Sequence, residues 1–334
     1  MKRKSTRLFA GTVLFFGLTL PALADEQTLS GHVPAVVAAG LRPVGLLPAT
    51  NVLHLSLELP PRNRDALVGL VGQIYDPKST NFHSYLTPQQ FTERFGPTVQ
   101  DYEALENFAQ SNHFTVESTF SNRTLLAVSG HVADINAAFR ITLRTYRHPV
   151  ENREFYAPDA EPKVDSRLPA FRINGLDNYV LPHPMGLFRT PANRTSGNTS
   201  SAGSAPGGGN FWGYDYRNAY VPGSNLTGAG QTVALFEDDG FYLTDITNYE
   251  ISSGLPEVIP TVILVSSATG IPSTNGNAVG EVSLDIESVI SMAPGLANLL
   301  VYEGNDDASM LTQMAQDDRA QQISSSWNIP RAST

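Results

Sequence analysis

The spacing of hydrophobic and polar positions changes part-way along the chain. In the first half, His54-Leu-Ser-Leu-Glu-Leu59 alternates with period two and predicts a strand. Leu67, Leu70, Val71 and Ile74 then recur at helical spacing. Thr87-Pro88-Gln89-Gln90 supplies an N-cap, a proline at the first helical position and a glutamine at the third, so a helix starts there. Thr98 opens another, carrying Tyr102, Leu105, Phe108 and Ala109. Two strands, Thr115 to Phe120 and Thr124 to Ser129, flank a Ser121-Asn122-Arg123 hairpin. A helix over Val132 to Phe139 and a strand over Ile141 to Tyr146 complete the unit. This order predicts a ferredoxin-like α+β sandwich with an inserted helix, Ile141 to Tyr146 being its fourth strand.

Between residues 184 and 210 the pattern lapses into a Ser-, Gly-, Asn- and Thr-rich linker ending in Gly207-Gly208-Gly209, a favoured site for proteolytic processing. Beyond it, strands alternate with helices. Strands are predicted over Gln231 to Phe236, Thr261 to Val265, Asn298 to Tyr302 and Ile323 to Ser326. Helices are predicted over Leu243 to Tyr249, Glu281 to Met292 and Asp307 to Asp318. Such alternation implies an α/β domain with a doubly wound parallel sheet.

One predicted helix carries candidate chemistry. In Gly280-Glu-Val-Ser-Leu-Asp-Ile-Glu287, Glu281 and Asp285 lie one turn apart on one face. Val282, Ile286, Val289, Ile290 and Ala293 form an apolar arc that anchors the helix, with Glu281, Asp285 and Ser288 on the arc beside it, at the edge of the core. Two carboxyls held close leave one protonated in mild acid and poised for proton transfer. The same spacing also describes an ordinary solvated acidic face.

Composition narrows the function classes. The 334 residues are 41% hydrophobic and 16% charged, which suits a folded protein of about two domains. Net charge is -10, and about -14 without the four basic residues of the first 24, which argues against nucleic acid or anionic membrane as partner. The absence of cysteine excludes disulfides, thiol catalysis and cysteine-ligated zinc. The seven histidines show no His-x-x-x-His spacing. Met1 to Arg7 is basic, Leu8 to Leu20 apolar, and Ala22-Leu23-Ala24 a cleavage signature, so residues 1–24 read as a secretory signal peptide. The expected location is extracytoplasmic, with no membrane association after cleavage.

The second half resembles the N-terminal part of the catalytic domain of the sedolisin family, the serine-carboxyl peptidases that include kumamolisin. The resemblance rests on Leu226-Thr-Gly-Ala-Gly-Gln-Thr-Val-Ala-Leu-Phe-Glu237, Tyr242, Asp245, Tyr249, the Glu281 to Glu287 segment, Ala293-Pro-Gly295 and Ile323-Ser-Ser-Ser-Trp327. The first half resembles the same family's activation propeptide through Tyr75-Asp-Pro-Lys-Ser-Thr-Asn-Phe-His-Ser-Tyr-Leu86-Thr-Pro-Gln-Gln-Phe91. The resemblance implies residues 25–183 as propeptide, 184–210 as linker and 211–334 as the N-terminal portion of a subtilisin-like domain. It implies Glu281 as general base and Asp285 as its partner, with Glu237 and Trp327 supporting them. It further implies a polypeptide substrate, the propeptide as intramolecular inhibitor, and a calcium ion in full-length members, with no cofactor held by this chain. Glu237 and Trp327 also read as a strand-end residue and a core aromatic, and Asp245 as a helix cap.

The family's nucleophile and oxyanion motifs, of Gly-Thr-Ser-Ala and Gly-Asp-Ser-Gly type, do not occur, and Asn328 replaces the glycine expected after the tryptophan. The expectation is therefore a truncated, inactive serine-type endopeptidase zymogen. The alternatives are a propeptide protein that inhibits or chaperones a related peptidase, or a remnant without function.

Overall fold

In a computed structural model, residues 25–185, 203–206 and 210–328 are described. The expected signal segment, residues 1–24, and most of the expected linker with its processing site lie outside them. The first half comprises β1 (Glu26–Thr28), α1 (Ala35–Ala38), β2 (Pro43–Leu46), β3 (Val52–Glu58), α2 (Arg64–Ile74), α3 (Pro88–Phe95), α4 (Val99–Ser111), β4 (Thr115–Thr119) and β5 (Leu125–His131). It continues with α5 (Val132–Phe139), β6 (Leu143–Arg147), β7 (Glu154–Pro158), β8 (Lys163–Asp165), β9 (Arg172–Asn174) and β10 (His183–Pro184). The second half comprises α6 (Gly213–Tyr220), β11 (Thr232–Glu237), α7 (Leu243–Ser253), β12 (Thr261–Leu264) and α8 (Gly276–Met292). β13 (Asn298–Glu303), α9 (Asp307–Asp317), β14 (Gln322–Ser324) and β15 (Trp327–Asn328) follow.

The first half is built on an antiparallel sheet of order β4-β5-β3-β9. Leu53, Leu55, Leu57, Leu126 and Val128 bury against Leu105 and Ala109 of α4 and Ile135 and Phe139 of α5. Thr87 caps α3 in a reciprocal capping box with Gln90, and Thr98 caps α4. One strand departs from expectation. Residues 143–147 do not complete this sheet but join β2 and β7 in a second, three-stranded one. There Tyr146 stacks on Phe155, in a small core of its own. The place beside β3 goes to β9, whose Ile173 buries its side chain between exposed Arg172 and half-buried Asn174.

The second half holds a parallel sheet of order β12-β13-β11-β14. α8 packs on β11, α7 and α6 pack on α8, and α9 packs on β11 and β13. Helix α8 starts five residues before the expected Glu281, capped by Asn275. Asp245 is not a cap: Tyr242 occupies that position, and Asp245 sits in the first turn of α7 without a capping bond. The favourable place for its charge there is the helix dipole.

The two halves meet where the β3–β5 face covers the start of α9. Ser56 donates to Asp306, the N-cap of α9, and its Oγ lies 3.3 Å from Ser309 Oγ. Ser121 N–H donates to Gln316 at 2.6 Å. Phe120, Leu125 and Ala127 pack against Ala308.

A buried histidine ties the first half together. His32 Nε2 accepts from the Ile173 amide at 3.0 Å, so the ring is neutral with its proton on Nδ1, which donates to Leu29 O at 3.0 Å. Burial lowers its pKa, against the pull of Glu161. A depressed histidine stabilises the fold above its unfolded value and loses that contribution as pH falls through the folded one. Urea unfolding followed from pH 7.5 to 4.5 is expected to show the first half weakening below about pH 6.5. His32→Gln is expected to weaken it by about 1–3 kcal/mol at neutral pH and to flatten the dependence.

Candidate active site

Two adjacent central strands end in glutamate. Ala234-Leu-Phe236 and Leu300-Val-Tyr302 are buried, and the next residues, Glu237 and Glu303, are opposite each other in the β11–β13 register. The strands stop there at the carboxyl end of a parallel sheet, where such sheets open to ligands. Glu237 is 0% exposed. The indole of Trp327 donates from Nε1 to its Oε2 at 2.7 Å. Burial nonetheless pushes the Glu237 pKa up to about 9, and the charge of Asp285 adds to the rise.

Helix α8 contributes the second wall. Val282, Ile286 and Ile290 are buried in the core, and Val289 and Ala293 pack partly against it. Glu281 is 1% exposed, deeper than the edge position its helical spacing predicts, whereas Ser288 is exposed. Asp285, one turn on, is half-buried. Its Oδ1 accepts from Ser326 Oγ at 2.8 Å. Burial raises its pKa, and hydrogen bonding from Ser326 and Glu237 pulls it down. Glu237 Oε1 and Asp285 Oδ2 have no partner at normal hydrogen-bond length. The two carboxyls still act on each other: Asp285 adds to the rise of the Glu237 pKa, and Glu237 pulls that of Asp285 down. The structure thus brings Glu237, Asp285 and Trp327 together, with Glu281 on the same helix face as Asp285.

Three further carboxyls line the same end of the sheet. Both side-chain oxygens of Asp238 are buried without a hydrogen bond, and burial followed by repulsion from Asp307 pushes its pKa to about 8. Burial raises Glu303 to about 7 and Asp307 to about 6. Sequence analysis singled out neither Asp238 nor Glu303. The signal for Glu303 was the parallel between Ala-Leu-Phe-Glu237 and Leu-Val-Tyr-Glu303, two apolar strand runs each closed by a glutamate. Asp239 accepts from the amide of the next residue, Gly240, at 2.8 Å and from the distant Ser273 amide at 2.8 Å. Among the described residues no group of three or more His, Cys, Asp or Glu could hold a metal ion.

A peptide already lies along this site. β10 pairs antiparallel with β15, His183 opposite Asn328 and Pro184 opposite Trp327, and Met185 N–H donates to Ser326 O at 2.9 Å. Pro184 and Met185, expected in the linker, are thus the ordered tail of the first half, and this tail packs on α8.

The pro-kumamolisin activation domain family matches residues 39–171. Xanthomonalisin of Xanthomonas sp. (strain T-22) is 29% identical over 274 residues, covering 80% of this chain and 32% of that protein. Sedolisin of Pseudomonas sp. (strain 101) is 27% identical over 88% of this chain and 50% of its own length. For kumamolisin of Bacillus sp. (strain MN-32) the figures are 27%, 68% and 41%. These matches support identification of the chain with the sedolisin family. It spans about a third to a half of the length of these sedolisin-family relatives.

The buried glutamate gives a stability test. A carboxyl whose folded pKa is raised stabilises the fold fully below its unfolded value and loses that contribution as pH climbs through the folded one. For Glu237 the window runs from 4.5 to about 9. Unfolding free energy of the second half is expected to fall across this window, and Glu237→Gln to flatten it. Trp327→Phe removes the indole donor from a fully buried carboxyl and is expected to cost about 1–3 kcal/mol in urea unfolding.

Proposed function

We propose that this chain carries the activation domain and the acid–base half of the active site of a secreted serine-type endopeptidase zymogen that works in acid. The observation that carries this reading is the extended tail, paired by main-chain hydrogen bonds to β15 directly beside Asp285 and Ser326. Strand addition is how an extended polypeptide is held without regard to its side chains. A site that takes residues 183–185 in this way suits a polypeptide substrate, and a tail that fills it suits an intramolecular inhibitor.

Glu281 is the proposed general base and Asp285 its partner. A carboxylate base stays ionised, and so able to accept a serine proton, at lower pH than a histidine, because a free glutamate titrates about two pH units below one. Glu237, held protonated by burial, keeps Asp285 supplied with a donor, and Trp327 fixes Glu237 in place. The chemistry is acyl transfer to a serine, with the proton passing to Glu281 and then to the leaving amine. The first 24 residues direct export. Among the described residues no helix is long and apolar enough to cross a membrane. In full-length relatives we expect a calcium ion outside the part that this chain matches.

The second reading is an inhibitor or chaperone that acts on a related peptidase, favoured by the activation-domain match over residues 39–171. One experiment separates the two. The full-length product of the gene is incubated with denatured protein at pH 3 to 7, with and without Glu281→Gln. Hydrolysis below about pH 5 that the substitution lowers by roughly 10²–10⁴-fold is the expected result. No hydrolysis, together with tight acid-dependent inhibition of an intact sedolisin-family peptidase, gives the second reading.

A further inference from the structure

Ser326 stands where the tail and the carboxyl cluster meet. Its carbonyl accepts from Met185 N–H at 2.9 Å, and its hydroxyl donates to Asp285 Oδ1 at 2.8 Å. The neighbouring backbone is held on both sides. Trp327 N–H donates to Ser325 Oγ at 3.2 Å, and the Trp327 ring is anchored on Glu237. The main-chain position that presents the Ser326 hydroxyl is therefore set by a two-residue strand whose partner is the tail itself. Hydrophobic patterning offers no reason to single out this serine within Ser324-Ser-Ser326.

We propose that Ser326 is a positioning residue that links peptide occupancy of β15 to the state of Asp285: its carbonyl reads the bound peptide and its hydroxyl orients the carboxyl. This rests on the reading of Glu281 and Asp285 as the acid–base pair. A donating hydroxyl favours the ionised carboxyl over the protonated one. With the peptide in place, β15 is tethered and the donor is held on Asp285. Without it, a strand of two residues keeps fewer main-chain hydrogen bonds, and Asp285 gains affinity for a proton. An occupied cleft thus holds Asp285 as the acceptor its partner needs.

The titratable groups around Asp285 are few. Glu237 faces it from β11. Glu281 precedes it by one turn of α8. β10 brings His183 to the same helix. On α7, Asp245 acts on Glu287, and on α6, Arg217 donates to Met292 O, both at other turns of α8. Asp215 of α6 is engaged by Ser204. β15 contributes no charge.

The test uses the full chain with Trp212→Phe, which leaves Trp327 as its one tryptophan. Trp327 fluorescence is followed from pH 3 to 9, with Asp285→Asn identifying the transition that belongs to Asp285. Ser326→Ala is expected to move that transition up by about one pH unit, a tenfold gain in proton affinity, and Ser326→Thr to restore it. Met185→Pro, which removes the amide that Ser326 O accepts, is expected to move it the same way and to add little once Ser326 is alanine. Circular dichroism checks that each variant is folded. An unmoved transition in folded Ser326→Ala overturns the proposal, as does full additivity of the two substitutions or the absence of any Asp285-dependent transition in the parent. The readout needs no catalysis. A moved transition without proteolysis by the full-length product leaves the Ser326 link standing and removes the peptidase reading, and the converse removes the link alone.

Discussion

Burial of carboxyl groups at the carboxyl end of the parallel sheet is the constraint on which the rest of the site depends. A carboxylate in that position, out of water, is costly unless it gains a donor or a proton. Glu237 has both, the Trp327 indole on one oxygen and a proton held by burial. Trp327 can serve only if β15 brings it over the end of β11, and β15 is too short to be placed by its pairing with the tail alone. It is placed by the tryptophan below and by the tail of the first half alongside. The chemistry and the tertiary structure are thus the same set of contacts.

The buried carboxyls at the sheet end and the buried histidine of the first half respond to acid in opposite senses. Glu237, Asp238 and Glu303 of the second half hold protons more tightly when folded, whereas His32 of the first half is neutral because its ring nitrogen accepts a backbone amide. Falling pH therefore strengthens the contribution of those carboxyls to the fold and weakens that of His32. The interface of the two halves is polar at its centre, where Ser56 meets Asp306 and Ser309, and apolar beside it, where Phe120 and Leu125 meet Ala308. An interface of this kind separates more readily than a hydrophobic core.

Much of the fold was legible. The period-two and helical runs located β3, α2 to α5, β11 and α7 to α9, since each is amphipathic or uniformly apolar and its ends carry caps or turn residues. Strand identity within the first sheet was not. Leu143-Arg-Thr-Tyr146 has the alternation of a core strand, yet β7 pairs with it through Phe155 and Ala157, and the three-residue β9 takes the place beside β3. A segment so short leaves almost no periodic signal. Asp245 has the residue type of a cap, but the chain enters α7 at Tyr242.

By itself the sequence determined the alternation of elements, the shared helix face of Glu281 and Asp285, and the acidic residue at the end of β11. Local periodicity and strand length decide those features, and they need no partner. Only the tertiary structure decided that Trp327, ninety residues on, donates to Glu237, that Ser326 holds Asp285, that Glu303 lies beside Glu237, and that residues 183–185 lie along β15. Each of these is a pairing between distant segments, set by sheet register and by the need of buried polar groups for partners, and neither leaves a period in the chain.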